Sequence, residues 1–124
     1  MTPADELRTA AAKLRTLATS ASTDRHGRDI STWTSHHVGD HDARLYGPDH
    51  VNIIRGGSNG PHGRGIRPHL HPPVADYIAA MGPPVGTALA DWLDSAAEDA
   101  EQIGPDYHAL AVARQILGDT GEQR

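Results

Sequence analysis

The chain contains no cysteine. Disulfides and thiolate metal sites are excluded, and so is a thiol nucleophile. Phenylalanine is also missing, leaving two tryptophans and three tyrosines as the aromatic residues. Leu, Ile and Val make up only 21 of the 124 residues, and much of the other apolar content is alanine. So little large apolar volume predicts a small, alanine-rich core that is marginal by itself, with homo-oligomerisation as one way to add burial. No apolar run approaches the roughly 18 residues of a membrane span. The N-terminal MTPADELRTAAAKL carries Asp5 and Glu6 and has no apolar h-region, unlike a secretory signal. The expectation is a single cytoplasmic domain over residues 1–124 with no membrane partner.

Lysine is nearly absent as well, one against ten arginines, while Ala, Gly, Asp, Pro and His are abundant. A GC-rich coding sequence produces that composition, so the nine histidines have an explanation that needs no site. The net charge of −5 is unevenly spread. Residues 74–124 hold nine acids and two arginines, whereas residues 24–73 hold six arginines, five aspartates and eight of the histidines. The middle of the chain is near neutral at pH 7 and turns cationic as histidines protonate near pH 6.

Thr2-Pro3-Ala4-Asp5 is a helix start, with Thr2 as N-cap, Pro3 at the first position and Asp5 closing a capping box. Leu7, Ala10, Ala11, Leu14, Leu17 and Ala18 then recur at helical spacing, predicting a helix over 3–20. Three short β-prone runs follow, around residues 30–38, 43–46 and 51–54, separated by Gly39-Asp40 and by Gly47-Pro48-Asp49. They predict a three-stranded antiparallel meander over 30–55. Residues 56–72 form a Gly/His/Pro-rich segment, which predicts a flexible loop. A helical section spans 73–118. Val74, Tyr77, Ile78 and Met81 mark its first helix, ended by Gly82 at C′ and by Pro83-Pro84. Val85, Leu89, Trp92, Leu93, Ala96, Ala100 and Ile103 mark the second, ended by Gly104-Pro105. Leu110, Ala113, Arg114 and Leu117 belong to the last, and 119–124 is a polar tail. The predicted fold class is α+β, an N-terminal helix and three C-terminal helices packed with the small meander.

Two motifs in the helical section, Asp76-Tyr77-Ile78-Ala79-Ala80-Met81 and Leu89-Ala90-Asp91-Trp92-Leu93, together with HALAVARQILG further on, are familiar. This region resembles small uncharacterised proteins encoded by actinobacterial phages and prophages. The similarity is good over about 74–118, loose over 30–54 and weak over the first helix. Many of those relatives carry a Pro-Gly-Pro-Trp turn after the first helix, where this chain has residues 22–32 before Trp33. The resemblance implies a phage or prophage setting in a host cytoplasm and attaches no activity.

Histidine is the residue type that invites a chemical reading. The stretch TSHHVGDHDARLYGPDH, residues 34–50, packs four histidines and three aspartates. His69-Leu70-His71 adds a pair whose rings share one side of an extended segment. A metal site made of His37, His41, His69 and His71 is the sharp alternative, hydrolytic if it activated water. The spacings match turns and strands better than a converging tetrad, so no metal or other cofactor is expected. No serine lies in a GxSxG elbow, and no catalytic residue is assigned. Arg55-Gly56-Gly57 resembles one unit of an RNA-binding RGG segment, but residues 56–65 lack the Gly-Lys-Ser/Thr ending of a phosphate-binding loop. Nucleic-acid binding through residues 55–67 stands as a further alternative in a chain that is acidic overall. Tyr77, Trp92 and Tyr107 are expected as core or interaction anchors. The favoured function is a non-catalytic accessory protein acting through contact with a host or phage protein.

Overall fold

The computed structural model describes residues 1–54 and 70–118. Along the chain come α1 (Pro3–Ser20), β1 (Thr34–Val38), β2 (Asp42–Tyr46), a 3-10 turn (Pro48–His50), α2 (Pro72–Ala80), α3 (Pro83–Gln102) and α4 (Tyr107–Leu117). Among the described residues the chain is α+β, with four helices and a two-stranded antiparallel sheet. It divides into two compact units, Met1–Ser20 with Pro84–Arg124, and Ala21–Pro83. No described helix is long and apolar enough to cross a membrane.

The first unit is built from α1, α3 and α4. The capping box forms: Asp5 N–H donates to Thr2 Oγ1 at 3.1 Å, and Thr2 N–H donates back to Asp5 Oδ2 at 3.3 Å. Arg8 pairs with Glu101, and one Arg15 nitrogen reaches Asp91 Oδ1 at 2.9 Å and Asp94 Oδ2 at 3.0 Å. The sequence numbers run oppositely along these pairs, so α1 and α3 are antiparallel. Near the N-terminus of α3 the two helices come close. A methyl at Gly86 would sit 3.2 Å from the Ala18 Cβ, tighter than ordinary van der Waals contact. Between α1 and α4, Lys13 Nζ donates to the Ile116 carbonyl at 2.9 Å. A cation there satisfies an orphan carbonyl in the last turn of α4 and opposes the negative end of its dipole. Asp106 caps the start of α4 by accepting from the His108 and Ala109 N–H groups, and Gly118 ends it in the left-handed region at φ 80°.

Between these helices lies a core of Leu7, Leu93 and Leu110 with eight alanines: Ala4, Ala10, Ala11, Ala90, Ala96, Ala97, Ala109 and Ala113. Alanine lets helix backbones approach closely, so contact area comes from the backbone and Cβ rather than from long side chains. The apolar stripe expected on α3 is rotated. Ala90, Leu93, Ala96 and Ala97 are buried, while Val85, Trp92 and Ile103 are exposed. On α1, Leu17 likewise faces out and Ala4 faces in.

The second unit is a β-hairpin with α2 packed on it. The register pairs Thr34 with Tyr46, His36 with Arg44 and Val38 with Asp42, and Gly39 at φ 73° makes the turn. Ser35, His37, Ala43 and Leu45 therefore share one face. Ala43 and Leu45 are buried there, and Ala75 and Pro72 of α2 are buried too. The expected third strand does not form. Residues 51–54 make only a single bridge, Asn52 to Tyr46, with Ile53 N–H donating to Leu45 O at 2.9 Å. The reason lies on both sides of that bridge. Asp49 and His50 adopt φ of 58° and 59°, folding the connection into a tight turn, and the chain bends at Ile53 and Ile54. The expected loop over 56–72 and the tail over 119–124 fall mostly or wholly outside the described residues, although Pro72 already opens α2.

Candidate functional site

The histidine-rich stretch becomes the hairpin and its outlet. His36 and His37 point to opposite faces, as strand alternation requires. His37 turns toward α2, where its Nε2 lies 2.8 Å from Asp76 Oδ1, with both side chains about half exposed. Ser35, two residues earlier on the same face, has a buried hydroxyl. The Ser35 hydroxyl, and after it the His37 imidazole, hold the Asp76 carboxyl below its ordinary range. Serine, histidine and aspartate thus meet, but with the carboxylate beside both of the others. In a nucleophilic triad the imidazole stands between serine and carboxylate and takes the hydroxyl proton. Here its Nε2 is engaged by Asp76, so the arrangement is a polar tie between hairpin and helix.

On the opposite face, His36, Arg44 and Tyr46 gather. The Tyr46 ring has His36 at 6.1 Å, tilted by 53°, and His50 edge-on at 5.4 Å. Tyr46 also raises the Arg44 pKa above its ordinary value, through a hydrogen bond to the guanidinium. His50 reaches this ring because of its left-handed backbone.

The four histidines considered for a metal have separate placements where they are described. His37 is tied to Asp76, His41 lies on the exposed hairpin turn, and His71 is the N-cap residue of α2. His69 lies outside the described residues, as does the 55–67 segment considered for nucleic acid. Among the described residues, no three His, Asp or Glu side chains group in a way that could hold a metal ion.

Tyr77, Trp92 and Tyr107 are not core. Trp92 is 40 % exposed, Tyr77 67 % and Tyr107 75 %. Periodicity put Trp92 and Leu93 on one apolar stripe, yet neighbouring positions are about 100° apart around a helix. Only Leu93 lies at the contact with α1 and α4, where alanine-lined surfaces meet too closely to admit an indole. All three side chains lie on exposed surface.

Two features escaped the sequence reading. Asp76, the partner of His37, is 39 positions away, and no local spacing announces such a pair. Asp24-Arg25-His26-Gly27-Arg28 reads as a polar loop, yet it lines a cleft with Val51 and Asn52. The signal was the run itself, an aspartate and a glycine at turn positions enclosing two arginines and a histidine. Comparison of the chain with protein-family models, with curated proteins and with solved structures gives no match.

Proposed function

We propose that this is a non-catalytic accessory protein that acts by binding another protein, in the phage or prophage setting and host cytoplasm suggested by its helical motifs. One observation carries the reading. A chain with five aromatic residues places three of them, Tyr77, Trp92 and Tyr107, on exposed helical surface. Tryptophan and tyrosine are the residues most enriched among those that dominate binding energy at protein interfaces. Trp92 is the strongest anchor, since Val85 and Leu89 precede it at helical spacing and are exposed and half-buried respectively. Asp91 and Asp94 beside it are drawn toward α1 by Arg15, which leaves the indole as the feature a partner would meet.

The test is affinity capture from a host lysate with the parent and with Trp92→Ala, Tyr77→Ala and Tyr107→Ala, each checked for its melting transition. The expected result is a specific partner that Trp92→Ala loses while remaining folded. Equal capture by all three variants would remove the aromatic anchors from the reading, and self-association in sedimentation would name the partner as a second copy.

A further inference from the structure

We propose that the cleft beside the 22–30 loop binds the phosphate group of a small phosphomonoester, with Arg25, His26 and Arg28 as its anion-binding wall and Val51 and Asn52 against the organic part. This goes beyond protein–protein contact and rests on other residues.

The loop is built to hold its cations in place. Thr23 and Asp29 form a bridge, Ile30 N–H donates to Ser22 O at 2.7 Å, and Asp24 N–H donates to Arg28 O at 3.0 Å. Gly27 N–H closes the tip onto Asp24 O at 3.0 Å, with φ of 80°, a conformation that side chains other than glycine rarely take. The Asp24 side chain is the centre of this turn. Its Oδ1 accepts from His26 N–H at 2.8 Å and Arg28 N–H at 2.9 Å, and its Oδ2 accepts from Arg28 Nε at 2.7 Å. The carboxylate is only 16 % exposed.

Those three bonds decide what the cleft offers a ligand. Among the described residues Asp24 is the one acid on the lining, and its oxygens are already ringed by donors. Arg28 is held at Nε and is otherwise 55 % exposed, so four of its five N–H groups stay uncommitted to Asp24. Arg25 Nε donates to His26 Nε2 at 3.3 Å, which puts the His26 proton on Nδ1 as one more donor. The lining therefore presents two guanidiniums and an imidazole in a chain whose net charge is −5. Paired planar forks match the terminal oxygens of a phosphate dianion, whereas a carboxylate, with two oxygens and one charge, occupies only one. The cleft has a volume of about 280 Å³, more than a phosphate group alone fills. Val51 adds an apolar contact and Asn52 an amide, suited to a sugar-sized remainder.

The experiment is a proton–nitrogen NMR titration of the full chain with ribose 5-phosphate and with adenosine monophosphate, using sodium sulfate and sodium acetate as controls at matched ionic strength. Both esters are expected to give saturable shifts centred on residues 24–28, Val51 and Asn52. Stronger binding of the nucleotide would assign the organic part to a nucleoside, and equal binding to the sugar phosphate they share. Replacing Arg25→Gln together with Arg28→Gln should weaken binding at least tenfold. Arg25→Gln alone leaves the Asp24 bonds intact, so it should weaken binding in a loop that keeps its native shifts. Asp24→Asn is the sharpest variant. Removing a negative charge would strengthen simple electrostatic attraction, but here it should weaken binding several-fold, because the amide has one acceptor oxygen in place of two and cannot hold both the loop N–H groups and Arg28 Nε. Sulfate binding as tightly as the esters, an unchanged titration in the double variant, or shifts centred elsewhere would overturn the proposal.

Discussion

The two units of this chain reach order by different means. The helix unit relies on close approach, with Leu7, Leu93, Leu110 and eight alanines forming its buried cluster. Among the described residues of the hairpin unit, Ala43, Leu45 and Ala75 are buried together with Pro72 and Pro83, and much of its remaining order comes from polar bonds. Asp24 gathers the 22–30 loop, Asp29 receives the Ser31 N–H and hydroxyl at 2.8 and 2.6 Å, and His37 meets Asp76 across the face of the sheet. The difference teaches where sensitivity to conditions should lie. Apolar contacts of the first kind depend little on pH and salt. Carboxylate-centred contacts of the second kind require ionised acids, whereas the helix unit keeps its ion pairs, such as Arg8 with Glu101 and Arg15 with Asp91 and Asp94, on its exposed rim, where salt screens them.

The largest effect expected from breaking this comparison is Leu93→Ala. Leu93 is fully buried amid alanines that cannot expand to fill the space. A loss of about 2–5 kcal/mol is expected in denaturant unfolding, enough to unfold much of so small a unit. A loss below about 1 kcal/mol would mean that the alanine-lined helices collapse onto the cavity, and would remove the tight-packing account.

Trp92→Ala sharpens the same point from outside. With 40 % of the residue exposed, about 1–2 kcal/mol is expected, short of a fully buried aromatic. A drop of 4 kcal/mol or more in the same assay would return Trp92 to the core. Asp106→Ala should cost about 1 kcal/mol, since it leaves the first N–H groups of α4 without their side-chain acceptor. Rescue by Asp106→Ser would separate capping from any effect of charge.

The last prediction concerns acid. The Arg28 and His26 backbone N–H groups and the Arg28 guanidinium hold the Asp24 carboxyl down at about 2, against an ordinary value of 3.8. A depressed carboxyl adds stability that is fully present above its ordinary pKa and is lost as pH falls through the folded value. The loop of the hairpin unit should therefore loosen as pH falls from about 4 toward 2, and Asp24→Asn should abolish that dependence. Amide exchange of His26 and Arg28 followed across this range is the measurement. Identical acid profiles for parent and variant would show that Asp24 does not organise the loop.

Local chemistry determined a good part of this protein. The capping box at Thr2 and Asp5, the breaks at Pro83 and at Gly104-Pro105, and the turn at Gly39 all act within a few residues, through backbone conformation and hydrogen bonds that any sequence window contains. The scarcity of large apolar residues likewise predicted a core of alanine. Tertiary structure alone decided which way each helix turned its apolar residues, because Trp92 and Leu93 stand side by side in sequence and only the closeness of α1 and α4 selects the one that fits. It also decided the fate of residues 51–54, whose strand-forming composition yields to the left-handed turn at Asp49 and His50 and the bend that follows. The pairing of His37 with Asp76, and the gathering of Arg25, His26 and Arg28 with Val51 and Asn52, belong to the same class. Each joins residues distant in the chain, and such contacts are selected by the free energy of the assembled unit rather than by the preference of any segment.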